Sequence, residues 1–159
     1  MKVVNARVTR ALEVLGIAYR ILPHGEAVYT VEAAARERGV PAEEMVKCIL
    51  LVDAGRRYVM ACLPGNARVD VRAVREALPE YQRLRFASAD EIAQVTGYVQ
   101  GAVAPVDLPE TVPVIVDPAV TRCARVKISS GDPLAGLELD AQDLVRAARG
   151  RTWPIAERR

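Results

Sequence analysis

Apolar residues at helical spacing mark the start of the chain. Val8, Ala11, Leu12 and Leu15 fall on one face of a helix over residues 5–15, and Gly16 is expected to end it. Later helices are predicted where a capping residue precedes a periodic run. These residues and runs are Thr30 before 31–38, Asp70 before 71–78, Ser88 before 89–96 (with Glu91 completing a capping box) and Asp140 before 141–149.

Strand-like runs lie between these helices. Residues 46–53 and 57–64 are joined by a short turn at Gly55, which predicts a β-hairpin. Further strands are predicted at 17–22, 83–87, 112–117, 123–129 and 136–139. The order indicates a mixed α+β fold with about seven strands. The absence of linkers or repeats indicates one domain over residues 1–150, followed by a basic tail, 151–159. The tail is expected to be frayed and solvated, and the alternative is a tail that rests on nucleic acid.

Composition narrows the possible functions. The chain has 159 residues and a formal net charge of +2, which is too small for a protein that holds long duplex by its phosphates. No apolar run is long enough to span a membrane, and the N-terminus has no signal-peptide core, so we expect a cytoplasmic protein.

Cysteine and histidine usage argues against several kinds of site. The cysteines Cys48, Cys62 and Cys123 form no CxxC motif, and their number is odd, so neither a disulfide framework nor a zinc knuckle is expected. With His24 as the only histidine, a cysteine–histidine catalytic pair and a histidine-built metal site are both disfavoured. Buried, inert thiols are the preferred interpretation, and a cysteine-based redox protein ranks last among the functions considered.

Two stretches suggest chemistry. Lys47 interrupts the apolar run "MVKCILLV", where an ammonium group needs either an ion-pair partner, such as Asp117, or a ligand. The uncharged stretch "VTGYVQGAVAP" holds Gly97 and Gly101 and ends at Pro105. Glycines allow a close approach to backbone N–H groups, which can stabilise an oxyanion. The alternatives are a helix C-cap at Gly97 and a plain tight turn at Gly101.

Four stretches in order make the chain resemble the YbaK-like aminoacyl-tRNA editing domains, which include free-standing deacylases and the editing insertion of bacterial prolyl-tRNA synthetases. They are "MVKCILLV", "TGYVQGAVAP", "VPVIVD" and "KISSG" followed by "GLEL". The resemblance covers roughly residues 5–150 and implies a single α+β domain with a mixed, curved sheet and flanking helices. The chain departs from the family pattern at four places. Cys48 replaces a threonine, Ala102 a second glycine and Ala104 a serine, and Val106-Asp107 replaces an apolar residue and a glycine.

The resemblance also implies the site residues. Lys47 would hold the terminal adenosine and the ester and stabilise developing charge, and Gly101 would supply backbone polarity. Gly97, Asp117, Ser129 and Gly131 would bind substrate. The residues alone also allow Asp117 to be a helix cap and Ser129 and Gly131 to be turn residues. His24 and Tyr29 lie near the segment that lines the pocket in the family. The preferred interpretation is that His24 lies on the surface and that Tyr29 packs in the core.

The function implied is a trans-acting deacylase of mischarged tRNA, most simply tRNA(Pro) carrying Cys or Ala, with prolyl-tRNA synthetase as a possible partner and no metal or organic cofactor. The alternative is a binding module that recognises an aminoacyl-adenosine or a nucleotide without turnover. One group of basic residues is compatible with a surface that binds the acceptor stem of tRNA. A solvated surface of mixed charge is the preferred interpretation. Its members are Arg68, Arg72, Arg75, Arg83 and Arg85.

Overall fold

The computed structural model describes residues 6–23 and 41–157, which contain five α-helices, one 3-10 helix and eight strands. The helices are α1 (Ala6–Val14), α2 (Val71–Ala77), α3 (Ala89–Thr96), α4 (Pro118–Thr121) and α5 (Ala141–Ala148), with the 3-10 helix at Ala42–Glu44. The strands are β1 (Arg20–Pro23), β2 (Val46–Val52), β3 (Tyr58–Pro64), β4 (Arg85–Phe86), β5 (Val114–Val116), β6 (Arg125–Asp132), β7 (Ala135–Asp140) and β8 (Gly150–Thr152).

The strands form two sheets. A five-stranded mixed sheet has the order β4-β2-β3-β5-β8, with β2 and β3 as its antiparallel central hairpin. A three-stranded antiparallel sheet has the order β1-β7-β6. An isolated parallel bridge between Met45 and Lys127 joins the two at the start of β2. The α+β fold class is confirmed, but the strands divide between two sheets where one curved sheet was expected.

Two apolar clusters cover the two faces of the larger sheet. Val46, Leu50 and Val52 of β2 belong to a large cluster that includes α1, α5 and the smaller sheet. Leu51 belongs to a second cluster, which includes α2 and Ile155. Because both faces of β2 and β3 are buried, these strands read as nearly continuous apolar runs.

The predicted helix starts are confirmed by their caps. Asp70 accepts hydrogen bonds from the first turn of α2, and Asp140 does the same for α5. Ser88 and Glu91 form the reciprocal capping box of α3, which ends at Gly97 in the left-handed conformation. Leu15 lies beyond the end of α1 and is substantially exposed, although it was predicted on the buried face.

The C-terminal segment corrects the sequence interpretation. Gly150 was expected to end the last helix, but it begins β8, which pairs in parallel with β5. Ile155 is fully buried and accepts a hydrogen bond from the Asp70 N–H. The expectation of a frayed, solvated tail after residue 150 is therefore wrong up to Glu157. Backbone hydrogen bonds and the buried side chain of Ile155 hold the segment in place. The basic composition of the segment gave no sign of these contacts.

Other expectations lie outside the described residues. These are the helix over 31–38, His24 and Tyr29. Within the described ranges, no helix is long and apolar enough to cross a membrane, and no group of three or more His, Cys, Asp or Glu side chains is arranged to hold a metal ion.

Candidate functional site

The loop between Gly97 and Asp107 packs against the larger core cluster. Gly97 and Gly101 have left-handed backbones, with φ of 77° and 88°, and both are exposed. Tyr98 between them is buried, and its hydroxyl donates to the Val106 carbonyl at 2.7 Å. Burial raises the pKa of Tyr98 to about 12, so the ring is a neutral anchor for the loop.

The two alanines that replace the family's usual residues face inward. Ala102 and Ala104 are both buried, and the Ala102 N–H donates to the Val99 carbonyl at 2.9 Å. Their methyl groups therefore fill the core, whereas Gly97, Val99, Gln100 and Gly101 form the exposed side of the loop. Among the described residues, none accepts a hydrogen bond from the Gly101 N–H.

Arg7 of α1 clamps both ends of this loop. Its guanidinium donates to the Thr96 carbonyl at 2.5 Å, to the Asp107 carbonyl at 2.5 Å and to the Asp107 carboxylate at 2.8 Å. It also lies over the Tyr98 ring, 4.2 Å from the centroid. Sequence reasoning missed Arg7, because an arginine on the polar side of an amphipathic helix has no local signal that distinguishes it from a solvated side chain.

The backbone conformation at Asp107 accounts for the aspartate that replaces the family's glycine at this position. Its backbone is left-handed, with φ of 60°, which is the conformation that a glycine would adopt most readily. Aspartate tolerates this region better than most residues. The substitution therefore keeps the turn and adds the carboxylate that pairs with Arg7.

Lys47 lies at the start of β2 and is half-buried. Since side chains alternate along a strand, it shares the face of Ile49 and Leu51, whereas Cys48 shares the face of the glycine loop. β4 pairs with only the last two residues of β2, so Lys47 lies on a stretch of β2 that β4 leaves uncovered. Its four-carbon side chain would have to pass over this edge to reach the loop.

Lys47 and Ser129 occupy equivalent positions on two strands that a single bridge joins. Because the Met45–Lys127 bridge is parallel, Lys47 and Ser129 each follow it by two residues, on neighbouring strands that then diverge into separate sheets. Ser129 is half-buried, and its hydroxyl accepts a hydrogen bond from the Gly131 N–H at 3.0 Å. Gly131 is left-handed, with φ of 88°, within an irregularity of β6.

Lys127 is a buried lysine that sequence reasoning did not single out. Its ammonium lies 3.2 Å from Glu44 and 3.8 Å from Glu138. Hydrogen bonds from Arg125 and Arg20 to Glu138, together with the Lys127 charge, lower the pKa of that carboxyl. This ion network fixes β6 beside the 3-10 helix that leads into β2.

Asp117 is fully engaged by the backbone. One carboxylate oxygen caps α4 by accepting from the Ala119 N–H at 2.8 Å. The other accepts from the N–H groups of Ile155 and Ala156, each at 2.9 Å. The buried carboxylate thus ties the C-terminal segment to the end of β5, and the helix-cap alternative describes it better than the substrate-binding role expected from the resemblance.

A cavity of about 140 Å³ lies beside Asp107 but is separate from the candidate site. Neither Lys47, Ser129 nor any glycine of the loop lines it. Its lining residues are Asp107, Leu108, Glu110, Val112, Pro113, Val114, Ala147, Ala148 and Arg149.

Comparison with known proteins decides the family. Residues 25–147 match the model of the aminoacyl-tRNA editing domain. The chain belongs to this family. The match spans the start of β2, the glycine loop and the β6–β7 hairpin, so it contains every site residue predicted from the sequence, whereas Arg7 lies before it.

Similar proteins agree with this assignment. A proline–tRNA ligase of Bacillus licheniformis is 32% identical over 102 residues, which cover 64% of this chain and 18% of the ligase. The editing domain thus spans less than a fifth of that relative. An uncharacterized protein of Bacillus subtilis, YwhH, is 25% identical over 78% of both chains.

Solved structures share the fold of this editing domain. A hypothetical protein, APE2540, superposes with a TM-score of 0.88 at 28% identity, covering 95% of this chain and 99% of that one. A candidate trans-editing enzyme for prolyl tRNA synthetase gives a TM-score of 0.87 at 21% identity, covering 99% of both chains. At the latter identity, the likeness shows the fold alone.

Proposed function

We propose that this editing domain is a trans-acting deacylase that hydrolyses the ester of a mischarged aminoacyl-tRNA, with tRNA(Pro) carrying Cys or Ala as its substrate. Family membership supports an editing role. The ligase relative and the trans-editing neighbour, by their names, support tRNA(Pro) and an association with prolyl-tRNA synthetase.

The observation that carries the proposal is the clamped glycine loop, in which Gly101 is exposed and left-handed and its N–H has no acceptor among the described residues. Attack of water on the ester carbonyl produces a tetrahedral oxyanion, which preorganised donors stabilise. The loop exposes the two glycines Gly97 and Gly101, and Arg7 holds both of its ends. A donor fixed in advance costs no reorganisation when charge develops.

Lys47 supplies the positive charge in this proposal. The ammonium binds the terminal nucleotide or the developing oxyanion where the two sheets meet, next to the Met45–Lys127 bridge. Gly97, Ser129 and Gly131 shape the surrounding surface. The 3′-oxygen of the terminal ribose leaves with a proton, and the free amino acid is released.

A substrate panel tests the proposal. Cys-, Ala-, Ser- and Pro-tRNA(Pro), with Cys-tRNA(Cys) as a control, are incubated with the full chain, and the remaining ester is measured over time. We expect rapid loss of Cys- or Ala-tRNA(Pro) and survival of Pro-tRNA(Pro). Survival of every ester at high protein concentration would overturn the proposal. A shift in thermal stability with an aminoacyl-adenosine analogue would then favour the binding-module alternative.

A further inference from the structure

Two cysteines that are distant in sequence meet across the central hairpin. Cys48 on β2 and Cys62 on β3 are directly opposite, and their sulfur atoms lie 3.9 Å apart. Both thiols are free. The sequence led us to expect separately buried, inert thiols, because nothing local pairs residues 48 and 62 until the hairpin register is known.

The backbone pattern shows which kind of strand pair they form. The Met60 N–H donates to the Pro113 carbonyl, and the Cys62 carbonyl accepts from the Asp117 N–H, so these backbone groups of β3 are directed towards β5. Cys48 and Cys62 are therefore a non-hydrogen-bonded pair of the β2–β3 ladder. Such pairs have Cα atoms about 4.5 Å apart, within the range that disulfides span.

The two thiols differ in access. Cys48 is half-buried, and Cys62 is fully buried. The hydrogen bond with Cys48 and burial raise the pKa of the Cys62 thiol. An oxidant small enough to enter would therefore react at Cys48, with Cys62 as its nearest thiol. Cys123 lies elsewhere, with its sulfur 3.9 Å from the Ala119 and Glu43 carbonyls.

We propose that Cys48 and Cys62 form an oxidation site at which hydrogen peroxide produces a cross-strand disulfide. The Cys48 sulfur gives two electrons to the peroxide and becomes a sulfenic acid, with release of one water. The Cys62 sulfur then attacks the Cys48 sulfur. The thiol proton and the departing hydroxide leave as a second water, and the S–S bond remains. A thiol reductant reverses the reaction.

The site is adjacent to the proposed active centre but does not depend on it. Cys48 follows Lys47 directly and faces the glycine loop, so the disulfide would fix the start of β2. Formation of the bond is a property of the two sulfur atoms and the hairpin register. The test of disulfide formation is therefore independent of the test of deacylation.

Peptide mapping tests the proposal. The folded chain is treated with hydrogen peroxide, remaining thiols are alkylated, and the protein is digested with trypsin without reduction. Cleavage after Lys47, Arg56, Arg57 and Arg68 leaves the two cysteines on different peptides, and Cys123 falls on a third. We expect the 48–56 and 58–68 peptides to be joined, with Cys123 alkylated, and dithiothreitol to separate them.

Matched variants sharpen the result. Cys123→Ala should keep the cross-link. Cys62→Ala should lose it and accumulate a sulfenic acid on Cys48 that dimedone traps; circular dichroism checks that this variant is folded. The proposal is overturned if wild-type Cys48 and Cys62 both stay alkylatable, if Cys48 proceeds to sulfinic acid while Cys62 stays reduced, or if the cross-link involves Cys123. The peptide map of the wild-type protein tests the proposal even if a variant does not fold.

Discussion

The side chains of Arg7 and Asp107 meet at 2.8 Å, although 100 residues separate them in the chain. The same guanidinium contacts the Thr96 and Asp107 carbonyls, so α1 holds the glycine loop at both ends. The Arg7 side chain is 29% exposed and that of Asp107 is 54% exposed. The ion pair alone therefore contributes little to stability, and the clamp acts mainly by fixing the loop.

Removal of the clamp should affect catalysis more than substrate binding. We expect Arg7→Ala to lower kcat at least about tenfold with a smaller change in KM, because displaced backbone donors stabilise the transition state less. Arg7→Lys should not restore the rate, since an ammonium lacks the guanidinium fork. The matched control is Arg10→Ala, an exposed arginine on the same helix. Equal kcat values for Arg7→Ala and Arg10→Ala would show that the clamp has no catalytic role.

A methyl group at Gly97 should collide with the clamp. A Cβ placed there would lie 2.8 Å from a guanidinium nitrogen of Arg7, on a backbone with φ of 77°. Gly16 has a similar φ of 69° but nothing within 4 Å of its Cβ position. Both alanine variants pay the left-handed backbone cost of about 1–2 kcal/mol, and Gly97→Ala should lose further stability. Urea unfolding measures the difference; identical losses would refute the collision.

Asp117 should stabilise the fold rather than bind substrate. Asp117→Ala leaves three backbone N–H groups without their acceptor, two of them in the C-terminal segment. We expect it to cost about 3 kcal/mol in free energy of unfolding, against about 1 kcal/mol for Asp140→Ala, which removes an ordinary helix cap. Chemical unfolding of both variants checks the ranking. A normal stability combined with a raised KM would restore the substrate-binding role.

Asp53 should make stability depend on acidic pH. Burial by itself would raise the pKa of Asp53, but hydrogen bonds from the Arg57 and Gln82 backbone and from the Arg57 side chain outweigh it and hold the pKa at about 2, below the ordinary 3.8. A folded-state pKa below the unfolded value gives stability that is present above about pH 4 and is lost as pH falls towards 2. Asp53→Asn should flatten the fall in unfolding free energy between these values. An unchanged slope would contradict this role.

The sequence predicted what local chemistry determines. Asp70, Ser88 and Asp140 cap helices because short polar side chains satisfy the first N–H groups of a helix, and this depends only on near neighbours. The family resemblance located the glycine loop and Lys47. Their joint action remains a prediction, because the Lys47 side chain lies on the face of β2 opposite to the glycine loop.

What the sequence did not predict depends on contacts between distant segments. The Arg7–Asp107 clamp and the Cys48–Cys62 pair appear only when helix α1, the loop and the hairpin register are placed in space. Strand β8 has one partner strand and three residues, so its pattern is too short to distinguish from a tail. The Met45–Lys127 bridge, likewise, shows where the two sheets meet only after folding.

Single-turnover hydrolysis by Lys47 variants tests the central claim most directly. The substrate is the mischarged tRNA(Pro) that the panel identifies, and the control is Arg56→Gly, which removes an exposed cation at the opposite end of the same hairpin and relaxes a φ of 62°. We predict that Lys47→Ala lowers the hydrolysis rate at least about 100-fold, while Arg56→Gly stays near wild type. A folded Lys47→Ala variant that hydrolyses the ester at the wild-type rate would contradict the assignment of Lys47 as the charge that stabilises the transition state.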